Sequence, residues 1–193
     1  MLWHLRVMGS GPRSNCAYVA LLRGINVGGK NLLPMRALVP LFGDAGCGDA
    51  RAYIQSGNVV FRARPALARR VPALIGKAVE DRFGLRVPVV VRTADELRAV
   101  TKGNPFLKGG ADIATLHVAF LADSPSAAAV AALDPDRSPP DRFAVRGREI
   151  YLQYPNGAAR TKLTNQYFDS RLSTTSTARN WRTVLKLLEL AGG

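Results

Sequence analysis

Leu21 to Asn31 reads LLRGINVGGKN. Gly24, Gly29 and Lys30 fit the spacing GxxxxGK. In that pattern glycines let several backbone N–H groups converge on phosphate oxygens while the lysine adds a charge. Two features separate this loop from a nucleotide-binding one. Asn31 stands where a Ser or Thr would hold magnesium. Pro34 delays the next helix, so the loop amides do not crown a helix N-terminus. A looser anion site at Gly28, Gly29 and Lys30 is the reading that remains, beside a Gly-rich turn that only permits positive φ.

Two other stretches carry compact polar groups. Tyr53 to Phe61 reads YIQSGNVVF, with Gln55, Ser56 and Asn58 at a hairpin tip, either as turn chemistry or as a hydrogen-bonding rim. Thr177 to Lys186 reads TARNWRTVLK, and Thr177 is expected to cap a last helix. Arg179, Asn180 and Arg182 would then crowd its first turn, where the helix dipole favours anions, so either an anion or acidic side chain stands nearby or these residues form a solvated face with Trp181 in the core. Thr161 to Asn165 is a further polar helix start. The chain contains no GxSxG, HExxH or CxxC. His117 lies in an apolar run and is read as a core residue, and two histidines leave little for a metal site.

These residues must be positioned by the elements around them. Ala17 to Arg23 is an apolar run of strand length. Pro34 suits the first turn of a helix with Met35, Leu38, Val39 and Phe42 at helical spacing. Ala50 to Gln55 and Val59 to Arg62 read as a hairpin around Ser56-Gly57-Asn58. Leu67 to Phe83 is amphipathic, with Pro72 at its true start or at a kink and Gly84 as its stop. Arg86 to Arg92 is a strand. The order βαββαβ is the split βαβ, or ferredoxin-like, arrangement. The second half reads helix 94–100, strand 114–121, helix 126–133, a hairpin over 142–145 and 149–153, helix 161–172 and the last helix. No letter-level repeat links the halves. Ala17 to Leu22 and Val89 to Val91 are apolar on both alternating faces, which requires burial on both sides. The face that an RNA reader of this kind would leave open is therefore expected to be covered by the other half.

Bulk properties exclude several classes. The chain has 193 residues, 47% hydrophobic and 21% charged, which excludes a wholly disordered polymer. No apolar run is long enough to span a membrane. Residues 1–15 lack the apolar core of a secretory signal and read as an unstructured lead. With two cysteines and no disulfide framework, the cytoplasm is the expected compartment. The formal charge is +13. Residues 1–92 hold 14 basic and 4 acidic residues, and residues 93–193 hold 13 and 10. The basic first half attracts polyanions in a salt-sensitive way.

LLRGINVGGKN followed by Pro34-Met35, then YIQSGNVVF, KLTN and TARNWRTVLKLLELA, together resemble the domain-of-unknown-function 1697 family of bacterial proteins, from residue 17 to residue 191. The resemblance implies two subdomains, each similar to a ferredoxin-like plait. It implies no activity, and residues such as Arg23, Gly24, Asn26, Gln55, Asn58, Arg179 and Trp181 bring no catalytic role with them.

The expectation is therefore an α+β chain of two ferredoxin-like subdomains with mainly antiparallel sheets and helices on one face. Its parts are the lead 1–15, a first subdomain 16–92 and a second 93–193. The expected function is binding of a small anionic or phosphorylated ligand at loop 24–31, through Arg23, Asn26, Gly28, Gly29, Lys30, Gln55, Asn58 and Arg179. The alternatives are an enzyme in the same cleft, with Arg23, Lys30 or Arg179 stabilising developing negative charge, and non-specific nucleic-acid binding by the basic half. No cofactor, metal or membrane is expected. The loop and hairpin tip should share one rim, with some of their side chains hydrogen-bonded to each other.

Overall fold

A computed structural model describes residues 15–27, 29 and 31–192. The expected lead, Asn15 apart, falls outside the described residues, as do Gly28 and Lys30.

The first sheet has the order β2-β3-β1-β4, antiparallel throughout, from β1 (Cys16–Leu22), β2 (Gly48–Tyr53), β3 (Asn58–Ala63) and β4 (Val89–Thr93). This is the ferredoxin-like order. It places β1 centrally, and β1 is buried on both faces as its composition requires. Tyr18, Ala20 and Leu22 pack with helices α1 (Met35–Asp44) and α3 (Val71–Phe83), while Val19 and Leu21 face the second subdomain. The amphipathic stretch expected from Leu67 is broken. A short helix α2 (Pro65–Ala68) precedes α3, whose first turn holds Pro72 because proline has no N–H to pair there. Gly84 closes α3 at φ 67°.

Two helices follow β4. The first, α4 (Ala94–Gly103), opens on a capping box: Thr93 accepts from the Glu96 amide and Glu96 from the Thr93 amide. The second, α5 (Pro105–Lys108), is a single turn. The second sheet then repeats the topology as β6-β7-β5-β8, from β5 (Leu116–Leu121), β6 (Arg142–Arg146), β7 (Glu149–Gln153) and β8 (Ser176–Asn180). Helices α6 (Ala127–Ala131) and α7 (Asn165–Leu172) join its strands, and α8 (Trp181–Leu190) follows β8.

The strand β8 corrects the sequence reading. Thr177 does not cap the last helix. Asn180 does, accepting from the Thr183 amide at 2.8 Å, and Thr177 and Arg179 lie in an extended strand beside β5. The strand is built from polar residues, Ser176, Thr177 and Arg179, that are nonetheless buried. Hydropathy therefore does not reveal it.

The helices also depart from a one-faced arrangement. α1 and α3 cover the outer face of the first sheet, and α6 and α7 that of the second. α4 and α8 pack against each other between the subdomains, where Leu97, Val100, Trp181, Val184 and Leu187 join Val19, Leu21, Val60, Val118 and Phe120 in one core. The sheet face that an RNA-binding plait would expose is filled by this core. No helix among the described residues is long and apolar enough to cross a membrane.

Candidate functional site

The loop after β1 and the turn between β2 and β3 meet. Asn26 is the pin. Its Nδ2 donates to the backbone oxygens of Gln55 and Leu33, each at 2.8 Å, and its Oδ1 accepts from the Leu33 amide at 2.8 Å. Asn31 ties the loop to itself, donating from Nδ2 to the Gly24 oxygen at 2.9 Å. Loop and hairpin thus meet on the Asn26–Gln55 side, but the bond runs from a loop side chain to the hairpin backbone and not, as expected, between side chains. Gly57 fits this junction closely: a Cβ there would stand 2.9 Å from Leu22 Cβ and from Ile25 Cδ1.

The rim is conformationally unusual. Gly24, Asn26, Gly29 and Asn31 all have positive φ, and so does Ile54 at the hairpin tip, at 49°. A β-branched residue in that region is strained and is held there by its surroundings. Ile54 nevertheless stays half exposed. Gly24 and Gly29 are exposed, with open space where a side chain would project. The Gln55 side chain is exposed and bonds to no described residue.

Asn58 and Arg179 lie behind the rim and are bonded to each other. Arg179 Nε donates to Asn58 Oδ1 at 2.6 Å. Nη1 donates to Thr177 Oγ1 and the Ala178 oxygen, and Nη2 to the oxygens of Leu22, Ser56 and Gly57. Every N–H of the guanidinium is thus engaged. No carboxylate pairs with Arg179 among the described residues, and burial pulls its pKa down to about 10, which still leaves it charged at neutral pH. Asn58 is fully buried and donates to the Tyr53 oxygen and to Ser56 Oγ.

Arg92, singled out by no motif, is the counterpart of Arg179 across the duplication. It is fully buried at the end of β4. Its Nε donates to Glu149 at 2.9 Å, Nη1 to the Val91 oxygen, and Nη2 to the oxygens of Leu121 and Arg148. Each arginine immediately precedes a helix cap, Thr93 or Asn180. Each reaches the last residue of the other subdomain's first strand and that subdomain's hairpin turn. Each meets the first side chain of the returning strand, Glu149 or Asn58. Burial lowers the Arg92 pKa, opposed by the Glu149 charge. A sequence signal existed: an arginine directly before a capping residue, twice.

Arg23 is also tied across the subdomains. It forms an ion pair with Asp169 of α7, whose other oxygen accepts from the amide and hydroxyl of Ser176 at 2.8 and 2.6 Å. His117 lies in β5 with its ring 5.0 Å from Tyr154, and burial lowers its pKa. A P-loop nucleotide site is excluded by the fold, because both sheets are antiparallel.

Comparison with known proteins agrees with this architecture. Residues 16–151 match the model of the family described as "Protein of unknown function (DUF1697)". A conserved bacterial protein, SP0830 from Streptococcus pneumoniae, is similar in structure, with a TM-score of 0.70 and 20% identity over 92% of this chain and 99% of that one. At that identity the likeness shows the fold alone. No curated protein matches the chain.

Proposed function

The chain belongs to this family of proteins of unknown function, and from the geometry of its rim we propose that it binds a small anionic, phosphate-bearing ligand on the loop 24–31. The observation that carries the reading is that Gly24 and Gly29 are exposed while Asn26 ties the same loop to the hairpin. Positive φ at Gly24, Asn26, Gly29 and Asn31 is the kind of left-handed backbone that lets loop amides point toward an anion. The amides of Gly24 and Gly29 donate to no described residue. Glycine leaves both open to close approach, and Asn26 removes the entropic cost of ordering the loop at binding.

Roles divide by depth. In this reading Gly28, Gly29 and Lys30 contact the ligand, and the exposed Gln55 side chain adds a hydrogen-bonding group from the hairpin. Asn26, Asn58 and Arg179 position the loop and hairpin from behind, and Arg23 anchors the base of the loop to α7. Lys30→Ala tests the reading by thermal melting in inorganic phosphate and in sulfate. The expected result is an unchanged melting temperature without anion, within about 0.5 kcal/mol as for a surface change, and loss of the anion-dependent rise seen in the parent. An equal rise in parent and variant overturns it.

A further inference from the structure

A cleft of about 660 Å³ runs along the free edge of β4, between α2–α3 on one side and the second subdomain on the other. None of the loop residues discussed above lines it. Its volume and its place between subdomains are those of a small-molecule site.

A tyrosine hydroxyl opens onto it. Tyr18 is 6% exposed, its ring stacked on Phe61 with centroids 5.5 Å apart. The Tyr18 hydroxyl has no hydrogen-bond partner among the described residues, although the residue lines the cleft. The body of the residue is buried while its hydroxyl is not, so the hydroxyl is free to bond to a molecule in the cleft. Burial raises the Tyr18 pKa, so the hydroxyl carries its proton at neutral pH, and the Arg69 charge is near enough to act against that rise.

Arg69 is the cation to match. It is exposed, lines the same cleft and pairs with no carboxylate among the described residues. The neighbouring charges are spoken for. Glu96 accepts from Arg148 through one oxygen and from the Thr93 amide through the other, and Arg92 is bonded to Glu149. Pro65, Ala68, Pro72, Val91 and Ala122 supply apolar wall.

We propose that this cleft is a second binding site, for a small monocarboxylic acid with an apolar body, whose carboxylate accepts from Arg69 and from the Tyr18 hydroxyl. A guanidinium and a carboxylate match as planar partners, and the hydroxyl occupies a remaining lone pair. The cleft disfavours a phosphate dianion, because Asp123 lines it with no cationic partner among the described residues and repels a second negative charge. The site is independent of the loop. Tyr18 stands four residues back from the end of β1, about 13 Å along the strand.

The test is titration of isotope-labelled full-length protein with benzoate, followed by amide shifts. A ligand of this size is expected to bind with a Kd of about 10 mM or tighter, moving the amides of Val89–Thr93 and Tyr18. Tyr18→Phe keeps the stacked ring and Arg69→Gln changes an unpaired surface group, so both variants fold. Each is expected to weaken benzoate about tenfold or more, as loss of a hydrogen bond to a charge does, while Lys108→Ala leaves it unchanged. The proposal is overturned by no shift at Val89–Thr93, by shifts that survive both cleft variants, or by inorganic phosphate competing as well as benzoate. Because Lys30 takes no part, failure here leaves the loop reading standing, and the reverse also holds.

Discussion

Replacing Arg179 by Met should destabilise the fold far beyond what a strand residue near a sheet edge ordinarily does. The methionine fills much the same volume but donates nothing. The Gly57 oxygen keeps its bond from the Leu22 amide at 2.8 Å, and the Thr177 hydroxyl can rotate to another partner. The acceptors left without their arginine donor are the Leu22, Ser56 and Ala178 oxygens and Asn58 Oδ1, of which the Ala178 oxygen is only partly buried. An orphaned buried acceptor costs about 1–3 kcal/mol, and relief from desolvating the guanidinium returns part of that sum. A net loss of about 4 kcal/mol follows, at the upper end for single substitutions. For a chain of this size it lowers the melting temperature by about 10 °C. Arg179→Lys keeps the charge but cannot fork between two subdomains, so it should recover less than half. The assay is denaturant unfolding with the m-value held constant, run as a double-mutant cycle with Asn58→Ala. The expected coupling is about 1.5–3 kcal/mol, the strength of a hydrogen bond to a charged group. A loss below about 1 kcal/mol for Arg179→Met, or no coupling to Asn58, would refute the interlock.

Two other outcomes are expected. Burial pushes the Tyr151 phenol up to about 12, while in the unfolded chain it titrates near pH 10. The stabilisation from keeping it protonated is complete below pH 10 and is lost as pH rises from there toward 12. Alkaline unfolding curves should therefore steepen in that window and flatten in Tyr151→Phe; an identical slope in the variant contradicts the assignment. Any DNA or RNA binding should be independent of sequence and fall steeply between about 50 and 200 mM salt, as counterion release requires. Sequence-selective binding that persists at the higher salt, measured by fluorescence anisotropy, would overturn the reading of the +13 charge as a diffuse field.

The legibility of this chain follows the hydrophobic pattern and stops where the pattern does. β1 and β4 are apolar on both faces, so strand, burial and a covering second half could all be read from letters. The Ser56–Asn58 turn and the Gly84 stop were equally plain, because glycine and asparagine mark left-handed backbone. β8 was not legible. Its polar residues are buried because each finds a partner inside: Ser176 on Asp169, Thr177 and Arg179 on one another. A local reading cannot find partners far away in sequence, and Arg179 bonds Asn58 from 121 positions downstream. Arg23 and Asp169 are 146 apart. The loop's place beside the hairpin was legible from topology, because β1 and β3 are neighbours in the ferredoxin-like order. The use made of Arg179 behind that rim was not.

The duplication also accounts for why one flank is open. The Leu22 amide donates to the Gly57 oxygen as the Leu121 amide donates to that of Arg148, and the Arg23 amide donates to Pro88 as Ala122 does to Thr175. Arg23 and Ala122 thus occupy equivalent positions at the ends of the two central strands. The Arg23 side chain spans to Asp169 on α7 and closes its flank with an ion pair. A methyl group cannot span, and Ala122 lines the cleft beside β4 instead. Equivalent backbone positions thus carry a bridge in one copy and the wall of a cleft in the other. Halves that share topology but not letters can divide labour in this way: the closed flank fixes the base of the loop 24–31, and the open one leaves Tyr18 and Arg69 facing a space of ligand size.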